Sequence, residues 1–310
     1  MIKAFFLVGP TAIGKTAVCQ FIAEKHGFEI LSADAMLVYR GMDIGTAKPD
    51  ADLRSRVRYF GMDLVEAHEH FSVGIYREHA IAALRRAAGA GRRMIVTGGT
   101  GLYVKGLTHG LDEQPPHDQK TRNEAEEIMR QGGIEALQKW AESQAAGLYA
   151  AIGDKKNPRR LVRAVEIARA TAVAGTSWRD LGRGPEIPGL AMPMPQLHER
   201  INRRVEAMYA GGLLDEVASL LKSGLESSPT AVKAIGYAEA IAVLRGTLTI
   251  KEAIAGTSAR TRQLAKRQMT WFRNQANVEW LQITPEMPVE AIAQTVMNCW
   301  TRNGPTPIAE

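Results

Sequence analysis

The sequence predicts an α/β fold, a phosphate-loop core in which a parallel β-sheet is flanked by helices, with a helical inserted domain. Three observations carry this expectation. An apolar run at the N-terminus leads directly into the glycine-rich loop GPTAIGKT and then into a helical pattern. Strand-like and helix-like stretches then alternate, and residues from about 118 to 182 are helical in period with no convincing strand.

Taken in order, residues 2 to 8 read as a buried strand, and Val18, Phe21 and Ile22 recur at helical spacing after the loop. A second strand covers about 29 to 32, and a third, about 93 to 97, ends in glycines. The stretch GRGPEIPGLAMPMP, 182 to 195, is rich in Gly and Pro and reads as the connection back from the insertion. Helical patterns resume at 196–222, 230–245 and 251–275, and VEWLQI reads as a last strand. The expected organisation is therefore a core of 1–115 and 195–302, an insertion of 116–194, and a frayed tail of 303–310.

Composition narrows the class. The 310 residues are 45% hydrophobic, enough to bury the core of a globular protein. Lys and Arg outnumber Asp and Glu by 39 to 33, a net charge of +6 that permits a polyanionic partner. Cys19 and Cys299 are far apart and match no ligand spacing, which argues against a disulfide framework or thiolate metal site. The opening apolar run is too short for a secretory signal, and no stretch has the length to span a bilayer. A cytoplasmic protein with no membrane partner is expected.

Gly9, Gly14, Lys15 and Thr16 fit G-x-x-x-x-G-K-[ST] between a strand and a helix. Backbone N–H groups of such a loop wrap phosphate, the helix N-terminus adds positive potential, Lys15 neutralises charge and Thr16 can ligate Mg²⁺. The loop itself leaves open whether the ligand is a nucleoside triphosphate or another diphosphate. The Asp that usually ends a later strand in nucleotide hydrolases is missing: MIVTGGTG ends in Thr97, Gly98, Gly99 and Thr100, and Asp63 reads equally as part of a turn.

The stretch LSADAMLVYRGMDIGTAKP places Asp34 just past a strand, where a doubly wound sheet gathers its reacting groups. A carboxylate is a poor phosphate ligand, so Asp34 serves a metal, an acceptor proton, or the plain role of a helix cap. Two chemistries suit it. In a small-molecule kinase it would deprotonate an acceptor hydroxyl beside ATP; in an allylic transferase it would take a proton from an incoming amine while diphosphate leaves.

The segments GPTAIGKT, LSADAMLVYRGMDIGTAKP, TGGTGLYVKGL, NPRRLVRAVEI, KAIGYAEA and TRQLAKRQMTWFR occur in an order that resembles the bacterial-type tRNA dimethylallyltransferases, or tRNA isopentenyltransferases. The resemblance covers residues 4 to about 281. It implies transfer of a dimethylallyl group from dimethylallyl diphosphate to N6 of the adenosine 3′ of the anticodon, position 37, in tRNAs reading codons that begin with U. It further implies that Gly9, Pro10, Thr11, Ala12, Ile13, Gly14, Lys15 and Thr16 hold the diphosphate with Mg²⁺ on Thr16, that Asp34 is the general base, and that Arg204 contacts the departing diphosphate. The implied partner is the tRNA anticodon stem-loop, met by Asp34, Ala35, Met36, Leu37 and Thr100 near the target base. Arg122, the run Arg159, Arg160, Leu161, Val162 and Arg163, and Lys233, Gly236 and Tyr237 would supply further tRNA contacts to a monomeric enzyme.

The basic residues Arg260, Arg262, Lys266, Arg267 and Arg273 then look like backbone-phosphate contacts, with Trp271 and Phe272 kept as core. The sequence departs from the family at GDKKNPRR, where a His-Pro-Asn-Asp turn is usual, and at AMPMPQL, which lacks a common basic residue. A free-adenylate isopentenyltransferase is expected to be shorter and less basic, a small-molecule kinase needs no such insertion, and a non-catalytic RNA-binding protein would need neither the phosphate loop nor Asp34.

Overall fold

A computed structural model describes residues 1–111, 115, 118–170, 182–228 and 230–310. Contacts divide the chain into two compact units, Met1–Gly110 with Gly182–Glu310, and Leu111–Leu181. The first unit opens with β1 (Lys3–Val8), α1 (Lys15–His26), β2 (Phe28–Ser32), α2 (Ala51–Arg56), β3 (Tyr59–Phe60), α3 (Val73–Gly89), β4 (Arg93–Gly98) and α4 (Gly101–Thr108). The second unit holds α5 (Gln119–Gln144), α6 (Ala146–Ala151) and α7 (Pro158–Arg169). The chain then returns to the first unit with β5 (Glu186–Ala191), α8 (Met194–Ala210), α9 (Leu213–Lys222), α10 (Tyr237–Leu244), α11 (Ile250–Gln275), β6 (Asn277–Gln282), α12 (Val289–Asn303) and β7 (Thr306–Pro307).

The strand order is β3-β2-β4-β1-β5-β6, every neighbouring pair parallel, with β7 antiparallel to β1. Its central strands read as continuous apolar runs because helices cover both faces; Phe6, Leu7, Val8, Ile30, Leu31, Ile95 and Val96 are all buried. Register sets the level of the site: Val8 pairs with Gly98 and Ser32 with Thr97, so the turns after β1, β2 and β4 leave the sheet side by side.

Three sequence expectations are corrected. Residues 182–195 are no mere connection, since Glu186–Ala191 forms β5 and pairs with β6 from Glu186↔Asn277 to Ala191↔Gln282. Pro188 and Gly189 disguise the strand, a proline because it donates no ladder bond and a glycine because it lowers strand propensity. Gly189 is nonetheless required: a Cβ there would stand 3.0 Å from the Trp280 ring of β6. The insertion consequently runs from Leu111 to Leu181 rather than from 116 to 194.

The tail 303–310 is tied down rather than frayed. Thr306 pairs with Ala4, Ile308 is buried and donates its N–H to Ile2 O at 2.9 Å, and Ala309 donates to Leu107 O at 2.9 Å. One apolar residue and a two-residue ladder among Gly, Pro and polar neighbours are too short to give a periodic signal.

In the second unit, Leu137, Ala141, Leu161, Ala164 and Val165 form a small core. Asn157 caps α7, its side chain accepting from Arg159 N–H at 3.1 Å, with Pro158 at the first helical position.

Candidate active site

The phosphate loop begins where β1 runs out. Gly9 adopts φ 145° and its Cα lies so close to β5 that a Cβ would stand 2.8 Å from Leu190 O. Ala12 also has positive φ, 62°, and Gly14 at 107° turns the chain into α1. No acidic residue occupies the first turn of α1, so its free N–H groups face an undiluted positive potential. Lys15 folds back over the loop, Nζ donating to Gly9 O at 2.9 Å and Pro10 O at 2.8 Å. Burial lowers its pKa to about 8, Arg204 pushes the same way, and Asp34 pulls it up.

The turn after β2 is locked to the turn after β4. Thr100 N–H donates to Ala33 O at 3.1 Å, Thr100 Oγ1 accepts from Ala35 N–H at 3.0 Å, and Gly98 lies against the Ala33 carbonyl. Asp34 Oδ1 accepts from Met36 N–H at 3.0 Å in an Asx turn, and no helix follows, so the helix-cap reading fails. No described residue donates to its second oxygen. Asp34 raises the pKa of both Lys15 and Arg204 and adds to the upward shifts of Tyr76 and Tyr103, whose rings stack 3.9 Å apart. The carboxylate therefore lies in the field of two cations, Lys15 and Arg204. Tyr76 is fully buried and its hydroxyl has no partner among the described residues.

Arg204 on α8 completes the cluster. Its Nη1 approaches Thr11 Oγ1 at 3.5 Å and its Nη2 donates to Thr46 O at 3.2 Å; burial lowers its pKa and Asp34 opposes the shift. Thr46 belongs to the loop YRGMDIGTAKP, whose construction is now explicit. Glu216 on α9 accepts from Asp43 N–H at 3.0 Å and Ile44 N–H at 2.7 Å through one oxygen, and from Gly45 N–H at 3.2 Å and the Tyr237 hydroxyl at 2.5 Å through the other. Lys48 is buried and donates to Tyr39 O at 2.8 Å and Asp63 at 2.6 Å, with Asp43 also at 2.6 Å. Asp63, at φ 53°, also pairs with Arg54 at 2.6 Å, so it is a structural turn residue.

Sequence reasoning missed Glu216 because an acid in LLDEV reads as a solvated helix face. It also missed Gln268, hidden in TRQLAKRQMTWFR behind the basic residues around it. Gln268 Oε1 accepts from Thr11 N–H at 2.8 Å and its side chain rests on Gly99, which joins α11 to the phosphate loop and the glycine turn at once. Trp271 sits against Gly101 and is half-buried, while Phe272 is core as expected.

The expected tRNA contacts divide by exposure. Asp34, Ala35, Met36, Leu37 and Thr100 are partly open, and Lys233 is exposed. Gly236 and Tyr237 are buried, and the Tyr237 hydroxyl is committed to Glu216. In the second unit Arg159 and Arg160 are exposed, whereas Leu161 is fully buried in the small core. Val162 is half-buried against that core. Arg122 and Arg163 both donate to buried Glu166, each at 2.9 Å, and remain partly open.

Residues 37–275 match the family model "IPP transferase". The chain belongs to the IPP transferase family. A relative from Pelotomaculum thermopropionicum described as tRNA dimethylallyltransferase is 38% identical over 307 residues, covering 94% of this chain and 95% of the relative. The crystal structure of a tRNA isopentenylpyrophosphate transferase from Bacillus halodurans superposes with a TM-score of 0.69 at 34% identity, covering 98% of each chain. A eukaryotic dimethylallyltransferase described as acting on tRNA shares the fold, with a TM-score of 0.74 at 19% identity over all of this chain and 81% of that one. Among the described residues no helix is long and apolar enough to cross a membrane.

The residues of this family member also fit Mg²⁺ in a particular way. No group of three or more His, Cys, Asp or Glu side chains among the described residues could hold a metal. Thr16, exposed in the first turn of α1, offers a single hydroxyl beside the loop N–H groups. That donor set suits a hydrated ion carried mainly by substrate phosphates rather than an all-protein cage.

Proposed function

We propose that this protein transfers a dimethylallyl group from dimethylallyl diphosphate to the exocyclic N6 of adenosine 37 in tRNAs reading codons that begin with U. The observation that carries this reading is the juxtaposition of Asp34 with two cations, Lys15 and Arg204, that flank the phosphate loop. A kinase would place the same carboxylate beside ATP, but family membership over most of the chain favours the allylic donor.

In this reading the C1–O bond of the donor breaks as the C1–N6 bond forms. The adenine amine is a weak nucleophile because its lone pair is delocalised into the ring, and the free oxygen of Asp34 accepts the N6 proton as the new bond develops. Charge accumulates on the leaving diphosphate, where the N–H groups of Gly14, Lys15 and Thr16, the Lys15 ammonium and Arg204 stabilise it. Removing one such donor typically costs about 2.7–4 kcal/mol of barrier. Thr16 would hold Mg²⁺, which neutralises diphosphate charge when bound. Thr100, by fixing Ala33 and Ala35, holds Asp34 in place between them.

On the RNA side, Arg159 and Arg160 would contact backbone phosphates, with Arg122 and Arg163 oriented by Glu166. The decisive assay incubates the purified protein with labelled dimethylallyl diphosphate and undermodified tRNA. Label on A37 with release of diphosphate is expected; ATP consumption with a small acceptor and unlabelled tRNA would overturn the proposal.

A further inference from the structure

The loop has a second arginine beside it. Arg200 precedes Arg204 by four residues on α8, so both project from one face of the helix. Arg204 reaches the first half of the phosphate loop at Thr11, whereas Arg200 lies against its second half, with Nη2 3.3 Å from the place a Cβ would occupy at Gly14. Gly14 is the residue from which α1 begins. Among the described residues Arg200 has no hydrogen-bond acceptor and no carboxylate partner, in contrast to Arg204, which touches Thr11 and Thr46, and to Arg203, which faces Glu199 at 3.9 Å. Arg200 is half-buried, and burial together with the neighbouring Arg203 charge disfavours its cationic form.

A partly desolvated guanidinium without a counter-charge is unfavourable unless an anion completes it. Here the site beside it is an anion-binding loop. We propose that Arg200 is a further substrate-binding residue, gripping the phosphoryl group that lies over Gly14 while Arg204 grips the other end of the same diphosphate. The proposal rests on the reading that this loop holds an allylic diphosphate. It adds a discriminating element: a planar guanidinium at each half of the loop matches a ligand with two phosphoryl groups, and a monophosphate leaves one of the two unpaired.

The test compares inorganic diphosphate with inorganic phosphate, by calorimetry, on full-length wild type, Arg200→Gln and Arg200→Lys, with melting curves to confirm folding. Wild type should bind diphosphate much more tightly than phosphate. Arg200→Gln should weaken diphosphate binding by about 10-fold or more and phosphate binding by less, narrowing the preference. Arg200→Lys should recover part of the affinity, since it restores charge without the fork. In steady state the KM for the allylic donor should rise while that for tRNA is unchanged. Folded Arg200→Gln with wild-type diphosphate affinity overturns the proposal alone; so does an equal loss for diphosphate, phosphate and tRNA, which marks a structural role. Wild type that binds no diphosphate overturns the loop reading itself.

Discussion

Replacing Glu216 by alanine removes the acceptor for three backbone N–H groups and one phenol. The closest donors are Ile44 N–H at 2.7 Å and the Tyr237 hydroxyl at 2.5 Å, and the Tyr237 side chain is fully buried. Orphaning a buried donor costs about 1–3 kcal/mol, so these two together give about 2–6 kcal/mol; the Asp43 N–H is exposed and can turn to water, and the partly buried Gly45 N–H makes the longest of the four bonds, 3.2 Å. At roughly 2 °C per kcal/mol for a chain of this size, the melting temperature of the first unit should fall by about 4–12 °C. Tyr237→Phe is the control, because it leaves Glu216 its three N–H donors and should cost only about 1 kcal/mol. Activity should fall as well, since Arg204 is anchored on Thr46 O in the loop that Glu216 holds. Differential scanning calorimetry of wild type and both variants decides the matter. A Glu216→Ala protein that melts within a degree of wild type, or a Tyr237→Phe protein that loses as much, would refute the assignment.

Other outcomes follow from the same contacts. Burial lowers the Lys15 pKa from 10.5 to about 8, so the free protein loses this charge as pH rises through 8 while the unfolded chain keeps it to higher pH. Affinity for inorganic diphosphate should therefore drop between pH 7 and 9.5, even as this group favours folding more across the window from 8 to 10.5; a flat profile in competition assays contradicts the loop geometry. Gly101→Ala places a Cβ into the Trp271 ring and should cost about 1–3 kcal/mol by chemical denaturation despite the better helix propensity of alanine. Removing Arg159 and Arg160 together should reduce the salt dependence of tRNA binding by roughly one to two units of slope, leaving diphosphate affinity intact.

The parts of this molecule legible in its sequence are those where one local pattern has one physical cause. The phosphate loop is readable because its glycines, lysine and hydroxyl are contiguous, and β1, β2 and β4 are readable because buried parallel strands are unbroken apolar runs. Strand β5 was hidden by Pro188 and Gly189, and the reason for the glycine lies in the side chains of Val278 and Trp280 on β6. Position in a motif does not encode burial: Tyr237 and Leu161 stand in conspicuous segments yet spend their side chains on the interior. Glu216 and Gln268 act across 171 to 173 and 257 residues of chain, respectively, a separation that no local pattern encodes.

The central claim is that Asp34 takes the proton of the incoming amine. Single-turnover transfer by Asp34→Asn, measured beside its affinities for diphosphate and tRNA, tests it most directly. The variant keeps the size of the side chain and an oxygen to accept from Met36 N–H, so both affinities should stay near wild type while transfer slows by about 10² or more. Transfer at a near-normal rate in that variant would remove Asp34 from the chemistry.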